Sequence, residues 1–372
     1  MEIIANTTGM PAAIAVVPDK EGRDHCVVVV KGTFFADPEG SMQLSPRQAP
    51  PVATDEHYGN PESTPVCYEN DFALTKLLTD IVVVGKAVAP GGVPTKRLAV
   101  RLEVQGKVKD AVVYGDRRWI AVAGSASPSN PAPFLEMPLT FDRAFGGSDD
   151  SRGLGRVDVE VRNLCGVGYH PHRKVADVVG QPVPNIEHPA YAVRSPRRRV
   201  PPIGFGCIGR TWAQRTRYAG TYDEQWLEHH APYLPPDFDE RYFQCAPEDQ
   251  RFPLFEGGEI IRCVNMAPDP VVTYRMPDLR VPVRFTFKNH TLLRRGRLDT
   301  IVLEPHARCA RLTWRISVPL PKKVIHLRAV SVGDVPDSNR DRLVGYRDRK
   351  PIFAGIDATV RWLQKLRRGE GL

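Results

Sequence analysis

RLAVRLEVQGKVKDAVVY, residues Arg97–Tyr114, is the stretch from which the fold class follows. Leu98, Val100, Leu102 and Val104 alternate with Ala99, Arg101 and Glu103. A period of two sends successive side chains to opposite faces, so the pattern predicts a half-buried strand with one wet face. Gly106 separates it from a second strand-like run, Val108–Tyr114. Upstream, Asp80–Ala89 reads as another strand, ending at the Pro90–Pro94 turn. Nearer the N-terminus, Ala13–Val17 and Cys26–Phe35 are rich in β-branched and apolar residues. They flank the turn-forming Asp19–Asp24, which predicts a hairpin. Strand character returns at Glu259–Asn265, Val281–Phe287, Thr300–Glu304, Arg308–Ile316 and Lys323–Val332.

Few helices are expected. The 372 residues include 35 prolines, about twice the average share, and proline removes a backbone donor and stops helices. Helical turns are predicted at Asp142–Phe145, at Asp223–His229 with Asp223 as N-cap, and at Pro236–Phe243. In Asp357–Arg368, Val360, Leu363 and Leu366 fall on one side, which predicts a short amphipathic helix. The expected fold is therefore mainly β, with antiparallel, sandwich-like sheets, a large loop region rich in Pro, Gly and aromatic residues, and few short helices. The length allows two domains or one large one. Composition divides the chain into an antiparallel region (1–122), an irregular region returning to strands (123–335) and a basic tail (336–372).

Within the middle region, Pro201–Pro253 has no sustained helical or alternating period, yet holds four tyrosines, two tryptophans and four phenylalanines. Disordered segments are poor in aromatic residues, so an ordered loop system is predicted, and long ordered loops are usually functional.

Net charge is +8, from 51 basic and 43 acidic residues. The signs are interspersed except at Arg194–Arg199 and in the tail from Arg340, which speaks against the tight basic stripe that nucleic-acid binding requires. Seven widely spaced cysteines contain no CxxC pair, a pattern of reduced thiols and not of a disulfide framework or zinc ribbon. The first twenty residues lack a basic n-region and a long apolar core, and no apolar run approaches the roughly 20 residues of a bilayer span. A cytoplasmic protein without membrane insertion is expected.

Signals for catalysis are weak. His170 and His172 form an H-x-H pair that on a strand would share a face, and is a candidate metal pair with only Cys165 near it in sequence. Carboxylates gather at Asp223, Glu224, Asp237, Asp239, Glu240, Glu248 and Asp249, which beside aromatic platforms would suit a carbohydrate-active or other hydrolase. Several of these acids occupy positions that turns and helix caps favour. Gly204, Gly206 and Gly209 spell G-x-G-x-x-G, but the preceding SPRRRVPPI is no buried parallel strand, so a glycine-rich turn is expected. No motif implies a cofactor.

A set of phrases in fixed order carries a resemblance. They include PAPFLEMPLTFDRAFGG (Pro131–Gly147), GVGYHP (Gly166–Pro171), PPIGFGCIGRTWAQRTRYAGTYDEQW (Pro201–Trp226) and LDTIVLEPHARCARLTWR (Leu298–Arg315). Together they resemble the domain-of-unknown-function 2169 family over about Asp24 to Leu320. The resemblance implies a bacterial accessory protein of the type VI secretion system. Such a protein would be a non-catalytic adaptor or chaperone for a secreted effector, a PAAR-type spike-tip protein, or both. That role needs a preorganised surface with rigid aromatic and arginine anchors. Trp212, Arg215, Tyr218, Tyr222, Trp226, Phe238 and Tyr242 are the candidates, the alternative being that these rings form the core of an irregular region.

Overall fold

The strand Asp24–Ala36 is buried along nearly its whole length, because the chain covers both of its faces. The computed structural model describes residues 2–153, 155–321, 326–334, 343–347 and 350–353. Asp24–Ala36 lies near one end of a seven-stranded sheet. The order is Ala12–Pro18, Asp24–Ala36, Cys309–Pro319, Arg297–Glu304, Thr79–Val83 and Arg251–Phe252, with Met42–Leu44 also paired to Asp24–Ala36. All neighbours run antiparallel except Arg297–Glu304 and Thr79–Val83, which are parallel. The predicted hairpin forms, with Ala13 opposite Val29 and Val17 opposite His25.

A second sheet orders Ile186–Glu187, Lys107–Tyr114, Arg97–Val104, Ile260–Val264 and Val271–Arg275. The alternation in Arg97–Val104 is realised: Val100, Leu102 and Val104 are buried, while Arg101 faces water. On the wet face opposite charges sit directly across the ladder. Arg101 faces Asp110 at 2.6 Å and Arg262 faces Glu103 at 2.8 Å. Such cross-strand pairs stabilise by about 0.2–1 kcal/mol each. A third sheet orders Ile3–Asn6, Leu327–Val332, Pro282–Phe287 and Thr291–Arg295.

One apolar cluster joins the three sheets, with Val28 and Val30, Val100 and Leu102, Leu312 and Trp314, and Phe285 and Val330 among its members. The expected division at residues 122–123 therefore separates no cores. Strands from either side pair with each other, as Asp24–Ala36 does with Cys309–Pro319 and Arg97–Val104 with Ile260–Val264. Trp119, Phe145, Tyr169 and Val183 form a smaller cluster within the middle of the chain.

Helices are short, as the prolines require. The longest α-helix among the described residues, Glu224–His229, is capped by Asp223, whose carboxylate accepts from the Trp226 N–H at 2.9 Å. The helical turn predicted over Pro236–Phe243 shrinks to a 3-10 turn at Glu240–Phe243. The strand predicted over Asp80–Ala89 breaks, leaving Thr79–Val83 in the large sheet and Lys86–Val88 paired elsewhere. The helix predicted at 357–368 lies outside the described residues.

Candidate functional site

The inner face of the large sheet is apolar; its outer face is charged and nevertheless buried. Lys31, Asp80, Asp299, Thr300, Thr313 and Arg315 point outwards, and two irregular segments, residues 45–78 and 201–253, cover them. These segments bring counter-charges. Lys31 Nζ lies 2.7 Å from Asp71, whose carboxylate also accepts from the Val52 N–H at 2.7 Å. Lys76 lies 2.8 Å from Asp80 and 3.6 Å from Glu69. Glu69 in turn pairs with Arg215 at 2.6 Å and Arg210 at 3.1 Å, and Arg210 reaches Asp55 at 2.8 Å. Asp80 further accepts from the Cys245 N–H and from Gln244, both at 2.8 Å. Charges this deep persist only when paired and hydrogen-bonded.

The ionisation of these groups follows from their surroundings. Burial pushes the Asp80 carboxyl up, but Lys76 and the Cys245 N–H outweigh it and hold it below the usual carboxylate range. Burial likewise opposes Glu69, which Arg215, Lys76 and Arg210 hold low. For Asp299 burial wins over Arg315, and its carboxyl is raised. A lowered folded-state value stabilises above the unfolded value, about 4, and that stability is lost as pH falls through the folded value. Glu69 and Asp80 should therefore make the protein lose stability below about pH 4. The Asp80→Asn variant should show a shallower loss over the same range in denaturant titrations. Wild-type stability that stays flat from about pH 5 to pH 2 would contradict this.

The predicted anchors divide between core and surface. Trp212 is buried edge-on against Phe141, ring centroids 5.0 Å apart. Arg215 is 1% exposed and belongs to the ionic network, and Phe238 is buried between Tyr242 and Phe243. These three hold the loop segment onto the sheet, and of them only Phe238 borders a surface groove. Tyr242 is half-buried under Arg215, and Tyr218 is held between Arg217 and Arg241. Tyr222 and Trp226 do reach the surface. Tyr222 is 54% exposed and meets the half-buried Trp226 edge-on at 4.7 Å. Trp226 Nε1 donates to the Tyr233 carbonyl at 2.9 Å, fixing the ring.

Two residues that sequence reasoning missed complete this patch: Leu227, 65% exposed, and Tyr233, 44% exposed. Tyr233 rests on the Gly22 turn so closely that a Cβ there would sit 3.0 Å from its ring. The same turn borders a groove of about 740 Å³, floored by Leu74, Leu77, Leu234, Phe238 and Phe243 and rimmed by Asp19, Glu21, Asp237 and Asp239. The exposed patch and the groove thus adjoin through the hairpin turn.

Most of the acids of Pro201–Pro253 are engaged in structure, while Glu224 and Glu240 stand exposed in the first turns of their short helices. Asp223 caps its helix, and Asp237 accepts from the Thr221 N–H and hydroxyl at 2.9 and 2.8 Å. These bonds hold the Asp237 carboxyl below its ordinary value, and Arg241 does the same for Asp239. Glu248 pairs with Arg217, and Asp249 with Lys109 at 2.8 Å. His170 and His172 follow the two-residue strand Val167–Gly168 in a loop, so the shared strand face expected of them is absent. His172 instead approaches Asp158 at 3.2 Å. No group of three metal-ligating side chains occurs among the described residues. Gly204 and Gly209 open no helix. They admit the rings of Phe141 and Trp212, which a Cβ would meet at 2.7 and 2.6 Å.

All seven cysteines are free thiols, and no helix among the described residues is long and apolar enough to cross a membrane. A family model described as an uncharacterized protein conserved in bacteria (DUF2169) matches residues 21–315. No curated protein and no solved structure matches the chain.

Proposed function

We propose that this chain, which belongs to the DUF2169 family, is a non-catalytic adaptor that binds another protein through the Tyr222–Tyr233 patch and its neighbouring groove. The observation that carries this reading is the exposure of Tyr222, Leu227 and Tyr233 on a rigidly hydrogen-bonded scaffold. Aromatic and leucine side chains standing this far into water mark interaction sites when they adjoin one another and a concave surface. The ordered rings lose little conformational freedom on binding. The sequence resemblance supplies the partner class: a type VI secretion effector or a PAAR-type spike-tip protein, met in the bacterial cytoplasm before export.

The competing hydrolase reading needs two free carboxylates in a cleft, one of them protonated near neutral pH. The engagement of Asp223, Asp237, Asp239, Glu248 and Asp249 in caps and ion pairs supports the adaptor instead. The test is binding of the purified chain to the effector and spike-tip proteins encoded beside its gene, read by calorimetry. A complex with one of them is the expected result. Absence of any such complex, together with a hydrolase activity lost in Asp223→Asn or Asp237→Asn, would overturn the proposal.

A further inference from the structure

Arg297 and Arg315 stand directly opposite each other on neighbouring antiparallel strands. Directly opposed residues share a face, and like charges so placed destabilise a sheet. The second sheet does the reverse, setting Arg101 against Asp110 and Glu103 against Arg262. Arg315 is also buried, with its side chain 3% exposed, and only Asp299, at 3.3 Å, lies within ion-pair distance of it among the described residues. Its Nε and Nη1 have no hydrogen-bond partner among the described residues. A buried guanidinium with two idle donors is costly, and the internal cavity of about 10 Å³ behind it has room for about one water.

In front of Arg315 a pocket of about 260 Å³ is lined by Arg294, Arg295, Arg297, Lys76, Thr75 and Ser317. The exposed run Arg294–Arg297 passes through Gly296, and its three arginines all line the pocket. Asp299 is the only carboxylate lining the pocket, and Lys76 is already committed to Asp80 and Glu69. Among the described residues no carboxylate comes within ion-pair distance of Arg294, Arg295 or Arg297. The pocket thus combines several cationic forks and two hydroxyls with too little negative charge of its own.

We propose that this pocket is a binding site for a phosphoryl group, held between Arg297 and Arg315. Guanidinium forks match the oxygens of phosphate with paired hydrogen bonds. A tetrahedral dianion satisfies both opposed arginines at once, and Thr75 and Ser317 supply neutral donors. A phosphoryl group with a few waters fits the volume, since a water occupies about 30 Å³. The site lies off the Tyr222–Tyr233 patch but shares Leu74, Thr75 and Ser317 with the groove beside it, so Arg297, which lines this pocket and not the groove, is the residue that separates phosphate binding from partner binding.

The test is calorimetric titration of the full chain with inorganic phosphate at low chloride. Saturable one-to-one binding is expected. Arg297→Ala, at an exposed position, should weaken it at least about tenfold. Arg315→Lys keeps the charge but not the fork and should weaken it similarly, whereas Asp299→Asn should tighten it. Glycerol phosphate in place of phosphate distinguishes the source: tighter binding assigns an esterified phosphate, weaker binding a free anion. No saturable binding at millimolar phosphate, or equal binding by wild type and Arg297→Ala, would overturn the site. Displacement by succinate at equal concentration would overturn its phosphoryl specificity.

Discussion

Replacing Lys76 by alanine is expected to destabilise the fold by about 3–5 kcal/mol, a large share of the roughly 5–15 kcal/mol that holds a domain together. Lys76 is 2% exposed, and its ammonium lies between Asp80, which is fully buried, and Glu69. Without it Asp80 keeps the neutral donors of Cys245 and Gln244 and only the weaker charge influence of Arg251, so a buried carboxylate loses its direct counter-charge. Burial opposes the charge on Lys76, yet Asp80 wins and holds its proton more tightly than in water. The pair is therefore ionised, and breaking it costs more than its net contribution. The double variant Lys76→Met/Asp80→Asn should recover much of the loss, because it removes both charges and leaves no orphan. Lys86→Ala provides the contrast. Lys86 also lies 2.8 Å from a carboxylate, that of Glu136, but both side chains are more than 40% exposed. That pair should be worth at most about 1 kcal/mol. Urea denaturation of the four proteins decides the matter, and equal losses for Lys76→Ala and Lys86→Ala would refute it.

How far the fold was legible depended on whether a face met water. Arg97–Tyr114 could be read because one face is wet, and the alternation of Val100, Leu102 and Val104 with Arg101 survives in the sequence. Asp24–Ala36 and Thr79–Val83 are buried on both faces, so their sequences mark strands but not which side holds the core. The break after Val83 was not read, although Gly85 and Lys86 interrupt the apolar run there, because Ala87–Ala89 resumes it. Lys31, Lys76, Arg215 and Arg315 look like surface residues by type, and only tertiary contact with Asp71, Glu69, Asp80 and Asp299 puts them inside. Charge runs were legible only where they stay at the surface. Arg194–Arg199 stood out as a basic cluster, and Arg197 and Arg198 are exposed while Arg199 lies over Tyr169. The shorter Arg294–Arg297 run drew no notice because Arg315, eighteen or more residues further on, becomes its neighbour only through strand pairing. The aromatic anchors were legible as a group but not individually. Trp212 and Trp226 both sit at short helices of the same segment, and what separates them is an edge-on contact with the buried Phe141 for one and with the exposed Tyr222 for the other.

That separation predicts opposite consequences for two tryptophans in the same segment. Trp212→Ala removes a buried ring stacked edge-on to Phe141, and large core truncations of this kind cost about 3–5 kcal/mol. Binding would fall only as the folded population falls. Trp226→Ala and Leu227→Asp act on the exposed patch, where substitutions away from the core usually change stability by less than about 0.5 kcal/mol. Trp226 also braces Tyr233 through its indole N–H, so its loss should cost somewhat more than that of Leu227 in stability. If the patch carries the partner contact, Leu227→Asp should weaken the complex by about 30-fold or more, since hot-spot truncations cost at least about 2 kcal/mol. A new carboxylate in that position would also face burial without a counter-charge once the partner docks. The groove offers an internal control, for Leu77, 48% exposed, lines it and Leu227 does not. A partner that fills both patch and groove loses affinity with Leu77→Asp as well as with Leu227→Asp. One that loses it with Leu77→Asp alone sits in the groove, and the Tyr222–Tyr233 patch is then a bystander. Denaturant stability measured alongside each affinity keeps the two kinds of loss apart. An affinity unchanged by Leu227→Asp and by Trp226→Ala, in proteins as stable as wild type, removes the patch from the interface.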